Sequence, residues 1–319
     1  MRLKMAKEKK ATVRDIAKKA GVSVATVSYV LNDKEGTKIS DATRKKVLQV
    51  ANILNYQIPE KYKNNDTTKS SYTIGIIYSI LTGIEVHPCT SGNSLSHPVM
   101  AGTPSRNAQI MQLINLLAER FERMKFNCML LPLEPDIDRY EPVQGLDGII
   151  AIDLHERDFK IMSGSYFIPI MCLDMMINDF LFYQIHTDFE QIADKAAEMF
   201  KEDYYLLTDS CFNEGYSTYI SSVFGKDRVL FFDKLTKKEL SSLKNKKLLV
   251  YGDYLGMIIS RFTTDENVVI ISGTDGNMPG MEGLRIIHND LEKKANLAMN
   301  IMMNALEKKF DVKHEYKVL

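Results

Sequence analysis

Two sets of side chains in this chain of 319 residues are spaced so that they can do chemistry. The first is Val24, Ala25, Ser28 and Tyr29, flanked by Thr26 and Asn32, on the outer side of a short helical period from Val24 to Leu31. Short hydroxyls and an amide suit phosphate oxygens, methyl groups suit thymine, and a phenol can reach a base edge or a sugar. The second set consists of carboxylates closing apolar runs: Asp174 after I-P-I-M-C-L, Asp209 after Y-Y-L-L-T, Asp253 after L-L-V-Y-G and Asp275 after V-V-I-I-S-G-T. In open parallel sheets ligands gather at the carboxyl ends of strands, where such groups can bond the hydroxyls of a sugar-like effector. Each also has a plainer use as a loop or helix N-cap, and Asp188, placed where an N-cap is expected, is the weakest of the series.

The first set needs a rod to carry it, and the residues from Ala11 to Asn32 supply one. Thr12 can cap a first helix, with Asp15 at its third position as the reciprocal capping-box partner, and Ile16, Ala17 and Ala20 form its apolar stripe. Gly21 stands where the chain must reverse through a left-handed conformation. Ser23 can then cap a second helix whose Val27, Val30 and Leu31 face the first. Two short helices joined by a tight turn are the layout that pushes one helix into the major groove of DNA. A third helix, capped by Ser40 and running from Asp41 to Asn55, would bury Val47, Val50, Ala51 and Leu54.

The charge distribution favours the same partner. The formal net charge is zero, but residues 1–70 carry +9 and the remaining 249 residues carry −9. A basic head gains DNA affinity from counterion release, while an acidic body is repelled from the phosphates. The run Lys7, Lys9 and Lys10 reads as a solvated tail.

These residues closely resemble the N-terminal DNA-binding domain of the lactose/galactose repressor family of bacterial transcription regulators, strongly from Ala11 to Tyr56 and loosely beyond. The resemblance implies that base-reading positions fall on Val24, Ala25 and Tyr29, and phosphate-contacting positions on Thr12, Ser23, Thr26, Ser28 and Asn32. Many members carry arginine at the position of Tyr29, so a different operator base is implied. The resemblance further implies a hinge that folds on DNA and wedges a leucine into the minor groove. Here Ile58 to Ser71 is a polar linker in which Pro59 is present, the usual alanine, arginine and leucine run is missing, and only Tyr62 could wedge.

Past the linker, apolar runs alternate with helical periods. Strands are expected at Thr73–Ile80, Asn127–Leu133, Leu146–Asp153, Ile168–Asp174, Tyr204–Thr208, Arg228–Phe232, Lys247–Tyr251 and Val268–Ser272. Helices are expected at Arg106–Met124 and Asp188–Lys201. Such alternation means parallel sheets covered by helices. The fold expected is therefore an N-terminal three-helix helix-turn-helix domain (1–57), a hinge (58–71), and an α/β two-lobed, periplasmic-binding-protein-like body (72–319). The resemblance divides the body into a lobe of about 72–185 and 289–310, and a second of about 186–288 with the C-terminal end. Leu291 to Lys309 would be the late helix that returns to the first lobe. It also leads one to expect an arginine after the Tyr204 strand, yet Ser210 to Phe224 contains none, and the loop Leu81–Ser105 is long enough to line, cap or fill the cleft.

Several classes are excluded or disfavoured. No run reaches the ~18–20 apolar residues of a membrane span. Cys89, Cys128, Cys172 and Cys211 form no C-x-x-C pair, which fits a reducing cytoplasm, and His87, Cys89 and His97 lack a fourth ligand, so no metal or cofactor is expected. The glycines from Gly273 to Gly283 read as a wide turn rather than a phosphate cradle. No nucleophile with base and orienter is present, and His155, His186 and His288 sit in unrelated settings. The expected function is a homodimeric, operator-specific regulator, a repressor sensing a small molecule. The alternatives are a regulator controlled by a protein docking on the body, and an enzyme with an appended DNA-binding head.

Overall fold

The computed structural model describes residues 12–31, 39–40, 43–44, 46–47, 50–51, 54, 71–79, 104–133, 137–179, 181–274, 281–307 and 314–319. The hinge up to residue 70, most of the loop after the first strand, and Asn32, Tyr62 and Asp275 lie outside them, as do His87, Cys89 and His97.

The head begins with α1 (Val13–Ala20). Thr12 Oγ1 accepts from the Asp15 amide and the Asp15 carboxylate accepts from the Thr12 amide, so the expected capping box forms. Gly21 closes the helix at φ 64°, a backbone conformation that a side chain would strain. Ser23 Oγ then accepts from the Thr26 amide at 3.0 Å and starts α2 (Val24–Leu31). Ile16, Ala17 and Ala20 pack with Val27, Val30 and Leu31, and with Val47, Val50 and Ala51 of the helical segment capped by Ser40, whose Oγ accepts from the Thr43 amide.

The body contains two parallel sheets. The first comprises β1 (Thr73–Ser79), β2 (Asn127–Leu133), β3 (Gly148–Ile152), β4 (Ile170–Leu173), β5 (Tyr183–Thr187) and β11 (Glu315–Val318), in the order β11-β5-β4-β3-β1-β2. Its central strands are buried on both faces, as covered parallel strands must be. Within β3, Ile150 and Ile152 join the core under α3 (Pro104–Arg123) and α9 (Leu291–Leu306), while Ile149 and Ala151 join Phe159 and Met162 of α4 (Glu156–Ser163) on the other side.

The second sheet comprises β6 (Tyr205–Thr208), β7 (Val229–Phe231), β8 (Leu248–Tyr251), β9 (Val268–Ser272) and β10 (Arg285–His288), in the order β10-β9-β8-β6-β7. Leu206, Leu249 and Val269 face α5 (Phe189–Phe200) and α6 (Glu214–Phe224). Leu207, Val250 and Ile270 face α7 (Lys237–Ser242) and α8 (Asp253–Ile259). Asp188 caps α5, as expected, by accepting from the Gln191 amide at 3.0 Å. The ends of the expected strands differ by one or two residues where flanking positions leave the ladder, and β5, β10 and β11 are strands beyond those expected.

One assignment is corrected. The C-terminal end was expected in the second lobe, but β11 pairs in parallel with β5, Glu315 opposite Gln184 and Val318 opposite Thr187, because β5 otherwise leaves the first sheet with an open edge. Only Leu319 reaches the core of the second lobe. The head meets the body beside this strand: Lys19 Nζ lies 3.3 Å from His314 Nε2, and the His314 ring stacks on Tyr183. Burial and the Lys19 ammonium push His314 down to about 4, so a neutral imidazole accepts from the lysine at neutral pH.

Candidate nucleic-acid interface and ligand cleft

The outer face of α2 is open. Val24 is 46% exposed and Tyr29 38%, Ala25 is exposed, and Thr26 and Ser28 are half-buried. Val24, Ala25 and Tyr29 thus present an exposed row of side chains on a helix of eight residues. The hydroxyls of Thr12 and Ser23 are both engaged as caps, and Ser23 Oγ also meets Thr26 Oγ1 at 2.8 Å. Each therefore serves the folding of its helix whatever else it touches.

In the body, the carboxyl ends of the strands of both sheets converge on a cleft of about 750 Å³, partly open to solvent. Asp174 and Asp209 line it. Asp253 does not: it is the first residue of α8, and its Oδ2 accepts from the Gly273 amide at 3.1 Å, tying the end of β8 to the end of β9. The residue after β3, Asp153, is a third lining carboxylate. Asp153 and Asp174 have φ of 47° and 49°, a left-handed conformation that aspartate adopts more readily than most side chains.

Two buried cations answer these carboxylates. Arg106, in the first turn of α3, donates Nε–H to Asp153 Oδ2 and its amino groups to the carbonyls of Ser79 and Asp153, each at 3.2 Å, with its guanidinium 4.2 Å from the centre of the Phe212 ring. Lys294, fully buried on α9, donates to Asp174 Oδ1 at 2.7 Å and to Thr187 Oγ1 at 2.8 Å. Tyr216 donates to the same Asp174 oxygen at 3.2 Å, and burial raises its phenol well above the ordinary range. Burial also raises Asp153, opposed by Arg106 and the Asn213 amide. Burial and the neighbouring Asp233 carboxylate push Asp209 up to about 6.

The two lobes are clasped across the cleft. The Arg106 amide donates to Asp209 Oδ2 at 2.8 Å, and Gln109 Nε2 donates to the Tyr251 carbonyl at 3.1 Å. Asn213, the N-cap of α6 and fully buried, makes the densest contact. Its amide donates to Asp153 Oδ1 at 2.8 Å, its Nδ2 to the Leu154 carbonyl at 3.2 Å, and its Oδ1 accepts from Met176 at 2.9 Å. Gly215 and Gly252 permit the approach: a Cβ on Gly215 would collide with the Met176 carbonyl, and one on Gly252 with the Gln109 amide.

The model of the family described as "Bacterial regulatory proteins, lacI family" matches residues 12–59, the head and the start of the hinge. Residues 12–59 thus carry a lacI-family DNA-binding head. It is 29% identical over 192 residues to the probable HTH-type transcriptional repressor ExuR of Bacillus subtilis, covering 59% of this chain and 50% of that protein. It is 38% identical over 187 residues to the sucrose operon repressor of Klebsiella pneumoniae, covering 57% and 49%. The chain thus spans about half the length of these curated relatives. A crystal structure of the lac repressor dimer bound to operator and the anti-inducer ONPF superposes with TM-score 0.52 at 16% identity, covering 97% of this chain and 96% of that one. A LacI transcriptional regulator from Lactobacillus brevis gives TM-score 0.52 at 16% identity, covering 77% and 97%. These likenesses establish the fold: a lacI-type helix-turn-helix head and a two-sheet parallel α/β body.

The resemblance led to the expectation of an arginine after the Tyr204 strand. The guanidinium in this cleft comes instead from Arg106, on the opposite lobe. In the sequence Arg106 stands at the start of an amphipathic helical period, and nothing local marks it as buried. Asn213 was detectable as an N-cap before Glu214, but its partners lie on the other lobe, and no local pattern encodes them. Lys294 sits in E-K-K-A-N, which looks like a solvated helical face, and gives no signal of burial.

Proposed function

We propose that this chain is an operator-binding transcriptional repressor whose DNA affinity is set by a small molecule in the body cleft. The observation that carries the reading is the joining of an open-faced, N-capped α2 to a polar cleft clasped by hydrogen bonds between two lobes. Val24, Ala25 and Tyr29 read base edges, and Thr12, Ser23, Thr26, Ser28 and Asn32 contact phosphates, through backbone amides where the hydroxyl is held in a cap. The head is 1–57, the hinge 58–71 and the body 72–319. Asp174 and Asp209 bind effector, Asp275 remains a candidate, and the bond from Asp253 to Gly273 favours a structural role for it.

A second copy docks on the first lobe, where β2 is an edge strand bearing exposed Met129 and Leu130, with Met111 and Met124 exposed on α3 and just beyond it. Two heads related by a twofold axis then read half-sites of a pseudo-palindrome. Effector binding alters the clasp and hence the spacing of the heads, a coupling of about 1–3 kcal/mol. The relatives named above are repressors and regulators, and no catalytic step is proposed. No helix among the described residues is long and apolar enough to cross a membrane, and the reading places the protein in the cytoplasm, with its DNA.

Selection of bound fragments from sheared genomic DNA, followed by competition at several salt concentrations, tests the proposal. The expected result is a recurring pseudo-palindrome whose binding weakens steeply with salt. Absence of a salt-sensitive preference for any duplex would refute it.

A further inference from the structure

The cleft carries an imbalance of charge and of hydrogen-bonding groups. Its two buried cations among the described residues are each paired with a carboxylate, Arg106 with Asp153 and Lys294 with Asp174. Asp209 is left over. It is 9% exposed and lines the cleft, and its Oδ2 accepts only the backbone N–H of Arg106, while its buried Oδ1 has no hydrogen-bond partner. The Ser105 hydroxyl stands close enough to favour the ionised form but makes no well-formed bond to it.

Two more lining atoms lack partners, Ser210 Oγ and Asn289 Oδ1. Asp233, whose Oδ1 accepts from the Ser210 amide at 2.8 Å, adds a second negative charge beside Asp209. Buried acceptors without donors are costly, and the cost is removed by a ligand that supplies N–H and O–H groups. A phosphate or carboxylate ligand would instead meet Asp209 with both cleft cations already engaged.

Building on the effector reading above, we infer that the cleft takes a small hydroxylated amine, bound as its ammonium, whose N–H donates to Asp209 Oδ1 while its hydroxyls engage Ser210 and Asn289. Charge is the discriminating feature. Asp209 is flanked by Arg106 from α3, Asp233 from the segment after β7 and, across the cleft, Asp153, Asp174 and Lys294. These groups sum to excess negative charge, which an ammonium relieves and an acid worsens.

The test uses the full-length protein and six probes: glucosamine, galactosamine, glucose, galactose, glucuronate and glucose 6-phosphate, each measured by calorimetric titration. An amine is expected to bind about ten- to a hundredfold more tightly than its parent hexose, the gain of one charge-assisted hydrogen bond, with the two acids weaker still. The preference should shrink between pH 7.5 and pH 5, as Asp209 takes up its proton, and fall to near unity in Asp209→Asn. A parent hexose as tight as its amine, an acid as the tightest ligand, or a preference that survives Asp209→Asn overturns the inference and leaves the effector reading standing. Silence of all six probes, with operator affinity unmoved by each, overturns the effector reading as well.

Discussion

Replacing Gly215 by alanine sets local helix stability against lobe closure. Gly215 is the second residue of α6 and has no left-handed backbone, so alanine in an isolated helix would be favourable by about 0.5–1 kcal/mol. The added Cβ would nevertheless collide with the Met176 carbonyl, a backbone atom of the opposite lobe that cannot swing aside. That segment is held by the bond from the Met176 amide to Asn213 Oδ1 at 2.9 Å, and the same Asn213 bonds Asp153 at 2.8 Å. Relieving the collision means giving up about two such bonds, each worth about 0.5–1.5 kcal/mol. Closure should therefore weaken by about 1–3 kcal/mol, a shift of roughly 5–150-fold toward the open form. Small-angle scattering should report a larger radius of gyration, and operator affinity should move in the direction that removal of effector moves it. A variant that is simply more stable, with unchanged radius and DNA affinity, would refute the claim that the lobes clasp through Asn213.

A paired control separates backbone strain from collision: Gly252 and Gly225 have φ of 104° and 88°, but only Gly252 faces another side chain, Gln109. Both alanine variants should lose about 1–3 kcal/mol in urea unfolding, and Gly252→Ala alone should also open the lobes about two- to tenfold, through loss of the bond from Gln109 to Tyr251. In the head, Tyr29→Ala should change base preference at one operator position at a cost of about 1–3 kcal/mol, measured by competition between operator variants. Ser23→Ala should weaken all sequences alike and also lower head stability by about 1 kcal/mol, because its hydroxyl caps α2. Asp209, pushed up to about 6 in the fold against about 3.9 in the unfolded chain, keeps its proton longer when folded, so stability falls as pH rises from about 4 to about 6 and stays reduced above that. Asp209→Asn should accordingly unfold at higher temperature than wild type at pH 7.5, by up to about 2–3 kcal/mol, with the advantage gone at pH 4.

What could be read from the sequence divides along the range of the interactions involved. The head was legible almost residue by residue, because caps, a turn glycine and an apolar stripe act over three or four positions: Thr12 with Asp15, Gly21, Ser23 with Thr26. Eight strands, β1 to β4 and β6 to β9, were legible as elements, since buried parallel strands are apolar runs, but β5, β10 and β11, short and carrying Gln184, Arg285 and Lys317, were not, and the C-terminal end was placed in the wrong lobe because pairing partners 131 residues apart, such as Glu315 and Gln184, leave no local mark. The rule that ligands collect at strand ends led to Asp174 and Asp209. It could not separate them from Asp253, which occupies an equivalent place in its own strand and is turned to a neighbouring loop amide.

The cleft's electrostatics were the least legible part, and the reason bears on function. Arg106, Asp153, Asp174 and Lys294 lie in four separate segments, and only folding shows that they cancel in pairs. Once they cancel, the count of carboxylates in the sequence ceases to matter. What matters, among the described residues lining the cleft, is the buried carboxylate oxygen without a partner, Asp209 Oδ1. A buried acceptor kept unpaired lowers the stability of the free protein, and that deficit is recovered when a donor arrives, so the group that makes the clasped form less stable alone also makes it responsive to ligand. If Asp209→Asn stabilises the free protein and at the same time blunts its response to ligand, the two effects have this single origin.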